Sequence, residues 1–129
     1  MQRRTHLRVT TIGGRAVSRR HFSTGPLADL STDDFVDVLR AEVVGLFNVA
    51  KSTVPALRSG GGGSVVAVVA SSTTRTVPTN TMSAVPKSAV AMMIRQMATE
   101  EGRNDIRANA VGPGIIDGGM VDTACEHRQ

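Results

Sequence analysis

The stretch Ser64-Val-Val-Ala-Val-Val-Ala-Ser-Ser72 decides the fold. Its apolar centre, Val65 to Ala70, runs without polar alternation and is rich in β-branched residues. Such a run predicts a strand covered on both faces, as in a parallel sheet. Ser71-Ser72 follows at its carboxyl end, the edge where open α/β sheets place their ligands. Gly60 to Gly63 precede it. A phosphate-binding loop follows a strand and opens a helix. These glycines follow a helical pattern and precede a strand, so they read as a connector.

Upstream of the glycines, Ser31-Thr-Asp-Asp34 resembles a capping box, with Asp34 in place of the usual Glu. Phe35, Leu39, Val43, Leu46, Ala50, Val54 and Leu57 then recur at spacings of three or four. One continuous helix over 32–58 is predicted. Val36, Val44 and Phe47 fall off that stripe, which predicts a helix buried on more than one side, either as a deep core helix or at a subunit interface. Downstream, a second helix is predicted over 83–101, with Val90, Ile94, Met97 and Ala98 inward and Gly102 as its stop signal. Pro86 is tolerable only in a first turn, which sets the start near Ser83. Ile106-Arg-Ala-Asn-Ala-Val111 reads as a second strand, ended by Gly112-Pro-Gly114. The order helix, strand, helix, strand predicts half of a doubly wound parallel sheet.

At 129 residues the chain holds one domain at most. Hydrophobic residues make up 40% and charged residues 20%, the composition of a globular chain. With no Trp, no Tyr and three Phe, the chain has no phenol chemistry and no aromatic platform for single-stranded nucleic acid. The lone Cys125 excludes an internal disulfide framework. His6, His21 and His127 have no ligand spacing, so no metal site is expected. No apolar run is long enough to span a bilayer. The net charge is +4, but all six Arg of residues 1–28 precede the first acid, Asp29. The basicity therefore belongs to residues 1–24. These read as a disordered leader, a mitochondrial transit segment weakened by Gly13-Gly14, or a short basic arm. Residues 25–120 form the expected domain and 121–129 a tail.

Taken in order, the strand ending in Ser71-Ser72, Lys87 at the start of a helix, and Ile106-Arg-Ala-Asn-Ala-Val-Gly-Pro-Gly-Ile-Ile116 resemble the short-chain dehydrogenase/reductase family. Gly45-Leu-Phe-Asn-Val-Ala-Lys51 before Pro55 is similar to that family's central helix. The resemblance covers about residues 26–120. It implies a Rossmann-type sheet in three αβα layers and hydride transfer between NAD(P)(H) and a carbonyl, alcohol or activated enoyl group. It assigns Ser72 (or Ser71) to the substrate oxygen and Lys87 to the cofactor ribose. Pro113, Gly114 and Ile116 fall beside the nicotinamide. Ser83 stands at the family's Tyr position, Glu42 at its Asn position and Gly118 at a Thr position. The Ser83-x-x-x-Lys87 spacing resembles dienoyl- and enoyl-CoA reductase-type members. The family's Gly-rich dinucleotide loop has no counterpart here, and a typical member is about twice as long, so the nucleotide-binding half is expected to be missing.

From the residues alone, Ser72 could be an ordinary polar turn residue, Ser83 an N-cap, Lys87 a solvated lysine and Pro113-Gly114 a plain turn. Two functional readings follow. One is an oxidoreductase of small-molecule substrates. The other is a catalytically inactive remnant acting only as a dimerising module. Both expect a cytoplasmic homo-oligomer formed through helices 32–58 and 83–101, with no metal, membrane or nucleic-acid partner.

Overall fold

The computed structural model describes residues 23–114. The leader up to residue 22, Ile116, Gly118 and the 121–129 tail lie outside the described residues. Ser31 caps the first helix, α1 (Thr32–Leu39), its Oγ accepting the Asp34 N–H. A π-helical turn, Arg40–Val44, then joins α1 to α2 (Gly45–Ser59) without a break. Strand β1 (Gly63–Val68) follows, then the long helix α3 (Thr81–Glu101) and strand β2 (Ile106–Val111). The strands pair in parallel, with Gly63 opposite Ile106 and Val68 opposite Val111.

Helices α2 and α3 pack on one face of this sheet. Leu46 and Leu57 of α2 and Val90, Ile94 and Met97 of α3 meet Val65, Ala67, Val69, Ile106 and Ala108 in one core. The inward residues expected of the second helix are the buried ones, apart from Ala98, which is partly buried. The first helix differs from expectation. Val38 is its buried residue before the π turn, whereas Phe35, Leu39 and Val43 are only partly buried. The wide turn spends extra residues per revolution, so α1 and α2 present faces that a single 3.6-residue period does not connect.

The unbroken apolar run of β1 is buried on alternate residues only. Val66 and Val68 of β1 and Val111 of β2 lie on the opposite face and are 48%, 56% and 53% exposed. The described residues thus supply two of the three expected layers. β1 and β2 also leave both outer edges of their two-stranded sheet unpaired among the described residues.

The four glycines form the helix-to-strand connector. Gly61 takes φ +80, its N–H bonds to the Arg58 carbonyl, and the Gly62 N–H reaches back to Leu57 at 2.9 Å. This is a Schellman ending. Gly62, at φ +109, lies so close to the Asp105 carbonyl that an added Cβ would stand 2.5 Å from its oxygen. Gly102 is the C-cap of α3, which ends at Glu101 as expected. It stays right-handed, a short 3-10 turn continues to Asn104, and Asp105 makes the reversal at φ 59. Helix α3 also begins two residues before Ser83, so Pro86 sits a full turn inside it and is buried.

Where both helices hand over to strands, Arg58 grips Glu101. Its Nε donates to Oε2 at 2.8 Å and its NH2 donates to Oε1. Asn104 Nδ2 donates to the same carboxylate at 2.8 Å. These hydrogen bonds, the Arg58 ones foremost, lower the Glu101 pKa from 4.5 to about 2.

Two outcomes follow. Gly62→Ala should destabilise the chain by about 2–4 kcal/mol in denaturant melts, from a left-handed backbone plus the clash with Asp105. Gly102→Ala, in open space on a right-handed backbone, should instead stabilise it by about 0.5–1 kcal/mol. The depressed Glu101 pKa means that its contribution is full above pH 4.5 and is lost as pH falls through about 2. The stability gap between wild type and Glu101→Gln should therefore be constant at neutral pH and close across that acid window. A gap that stays constant down to pH 2 would contradict the pairing.

Candidate functional site

The site is built at the carboxyl edge of the sheet. Beyond β1, Val69 still bonds to β2, its N–H donating to the Val111 carbonyl at 2.8 Å. The chain then closes a 3-10 turn over Ser71–Thr73. Thr73 and Thr74 fix this turn by donating both N–H and Oγ1 to the carbonyls of Ala70 and Ser71. The turn exposes Ser71 and buries Ser72. Ser72 is 9% exposed, and its Oγ has no hydrogen-bond partner among the described residues. A buried hydroxyl without a partner is uncommon in folded proteins and calls for an explanation.

The turn packs against α3. That helix opens at the same edge, with Asn80 at its N-cap position. Ser83 is therefore not the cap. It lies within the first turn, partly buried, with its N–H on the Asn80 carbonyl at 3.2 Å. Lys87 lies one turn further, on the same face as Ser83. It is not a solvated lysine, since its side chain is only 17% exposed. Its Nζ donates to Glu42 Oε2 at 2.6 Å, and the Glu42 side chain is 16% exposed. Glu42 comes from the π-helical turn, which also packs against α3. A carboxylate partner for Lys87 was not foreseen. The signal available was an acid at the position where the resemblance expects Asn.

Beyond β2, Pro113 is partly buried and Gly114 exposed. Gly112 approaches the end of β1, where an added Cβ would meet the Ala70 carbonyl at 3.3 Å. The structure thus pairs Lys87 with Glu42 and packs the Ser71–Thr73 turn against the helix that carries Ser83 and Lys87, with Pro113-Gly114 after the neighbouring strand. Ile116 lies outside the described residues. No group of three or more His, Cys, Asp or Glu able to hold a metal occurs among the described residues. No described helix is long and apolar enough to cross a membrane.

This arrangement offers two chemical capabilities. Ser72 can donate a hydrogen bond to a substrate oxygen. Among the described residues, Lys87 has two N–H donors beyond the one given to Glu42, suited to hydroxyls or anionic oxygens. Ser83 is too weak an acid to serve as a direct proton donor at neutral pH.

Comparison with known proteins gives the family. The family model described as enoyl-(acyl carrier protein) reductase matches residues 11–129. A versicolorin reductase of Emericella nidulans is 33% identical over 94 residues, which cover 73% of this chain and 35% of that protein. A short-chain type dehydrogenase/reductase from Mycobacterium ulcerans superposes with TM-score 0.75 at 27% identity, covering 80% of this chain and 38% of that one. A gluconate 5-dehydrogenase from Burkholderia cenocepacia, solved with NADP and tartrate, gives TM-score 0.74 at 26% identity, covering 81% and 41%. The chain therefore spans well under half the length of these relatives. A family model over residues 11–129 and a relative 33% identical over 73% of this chain show that the chain belongs to the short-chain dehydrogenase/reductase family.

Proposed function

We propose that this chain carries the substrate and nicotinamide side of an oxidoreductase that transfers a hydride between NAD(P)(H) and a carbonyl, alcohol or activated enoyl substrate. One observation carries the reading: Ser72 Oγ is buried and has no hydrogen-bond partner among the described residues, on the turn that packs against the helix bearing Lys87. A substrate oxygen is the partner it lacks.

The residues fit one half of a dinucleotide. Lys87 and the Pro113-Gly114 turn suit a ribose and its nicotinamide. The strand-to-helix connection after β1 contains no glycine from Ser71 to Asn80, and the glycines at 60–63 sit at the other end of the sheet. No described element therefore suits the pyrophosphate, and affinity for the isolated chain should be weak. When bound, the dinucleotide would supply or accept the hydride. Ser72 would hold the substrate oxygen, and Lys87, with Ser83 beside it, would orient the ribose. The chain has no Tyr, so the proton for the product oxygen or carbon comes from water.

The reading includes self-association. Val44 and Phe47 on one helical segment, and Val85 and Met92 on α3, are about half exposed. A second copy of the chain is the occupant proposed for these helix faces, since an exposed apolar set on two adjacent helices favours a self-complementary contact.

Ser72→Ala should leave the melting temperature unchanged or raised, because it removes an unpaired buried hydroxyl. It should slow oxidation of NADPH by a ketone or enoyl thioester by about 10²-fold, the scale of losing one oxyanion donor. Equal rates for variant and wild type would remove Ser72 from the reaction. Absence of turnover by wild type with every such substrate would favour the non-catalytic module. Phe47→Asp should convert the dimer to monomer in light scattering, as a buried unpaired charge is not tolerated. A wild type that is already a folded monomer would refute the association.

A further inference from the structure

Two observations meet at Lys87. The first is its partner. Glu42 and Lys87 come from different helical segments, touch at 2.6 Å and are both mostly buried. Bringing two charges out of water is favourable only with good geometry and with the remaining donors filled. Here Glu42 takes one of three Lys87 protons and is the only hydrogen-bond partner of Lys87 among the described residues. The second observation is independent. Ser72 Oγ, nine-tenths buried, also lacks a partner on the turn packed against the same helix. Among the described residues, an ammonium with one acceptor and a hydroxyl with none lie on elements that meet at one sheet edge, donors that a ligand could fill. Glu42 itself stands in a π-helical turn, a rare geometry enriched at functional sites.

We infer that Glu42 is the residue that sets how strongly this site takes a dinucleotide: its carboxylate holds Lys87 in the free chain, and ligand oxygens engage Lys87 in competition with it. The inference rests on the reading of Lys87 as a ribose ligand. The charge arithmetic is simple. With Glu42 ionised, the pair is neutral, and the carboxylate repels an anionic dinucleotide at close range. With Glu42 made neutral, Lys87 stands as an unpaired cation in a partly desolvated site, where an anion is strongly attracted. Glu42 thereby acts as a positioning residue and an electrostatic brake, and does not enter the chemistry.

The test is a fluorescence titration of NADH and of NADPH into wild type, Glu42→Gln, Lys87→Ala and the double variant, at low and at physiological ionic strength. Thermal melts report folding. Glu42→Asn is a second neutral variant should Glu42→Gln fold poorly. The neutral variant should bind on the order of tenfold tighter than wild type at low salt. The gain should shrink as salt rises and vanish in the Lys87→Ala background. A merely structural role for Glu42 would lower the melt and weaken or leave unchanged the binding, without a gain that depends on salt and on Lys87. A folded neutral variant that binds no tighter than wild type, including one with no detectable binding up to millimolar cofactor, overturns the inference. If Lys87→Ala meanwhile weakens binding, the reading of Lys87 stands without it. If Lys87→Ala binds like wild type, or if the gain persists in the double variant, Lys87 is not the ligand contact and both fail.

Discussion

Parallel pairing of β1 and β2 is the constraint on which the other features depend. Two parallel strands cannot be joined by a tight turn, so a crossover long enough to return along the sheet is obligatory. Helix α3 is that crossover. It must bury one face on the strands it connects, which it does through Val90, Ile94 and Met97 against Val65, Ala67, Ile106 and Ala108. The same geometry sorts its polar residues by position. Its first turns are delivered to the carboxyl edge of the sheet, beside the turn that holds Ser72. Its last residue, Glu101, is delivered to the opposite edge, where α2 also ends.

The two ion pairs of α3 differ in kind for that reason. At the amino edge, Glu101 receives two donors from Arg58 and one from Asn104. Its carboxylate accepts three hydrogen bonds, its pKa is low, and the network fastens two helix ends. At the carboxyl edge, among the described residues, Lys87 has one acceptor for its three donors and Ser72, on the turn packed against α3, has no partner. A complete network stabilises, and an incomplete one of this kind is where a ligand completes the hydrogen bonding. The sheet shows a parallel contrast between its faces. Val65, Ala67 and Val69 are covered by this chain's helices, while Val66, Val68 and Val111 are about half exposed. The unalternating composition of β1 is that of a strand suited to cover on both faces.

Much of the fold was legible because its signals are local. The second strand has the bounds that its β-branched and flanking residues predict, and the glycines at 60–63 prove to be a connector, because a Schellman ending is written within six residues. The core face of α3 follows from spacings of three and four. The first helical pattern was legible only in part. Its stripe assumed one period throughout, and the π turn at Arg40–Val44 changes the phase between Val38 and Leu46. The end of α3 at Glu101, just before Gly102, has the bound that the glycine predicts, while the left-handed position falls three residues later at Asp105, a residue type that tolerates it less often than glycine.

Sequence by itself determined the element order, the parallel sheet and the residue types gathered at its carboxyl edge, including Ser72, Ser83 and Lys87. These depend on periodicity and turn chemistry, which act over a few residues. Packing in three dimensions sets which of the two serines turns inward, that Glu42 rather than solvent meets Lys87, and that Arg58 pairs with Glu101. Each of those outcomes joins segments separated by a whole helix or strand. A carboxylate carries no local mark of its partner, because charge pairing and burial are fixed by packing in space and not by spacing along the chain.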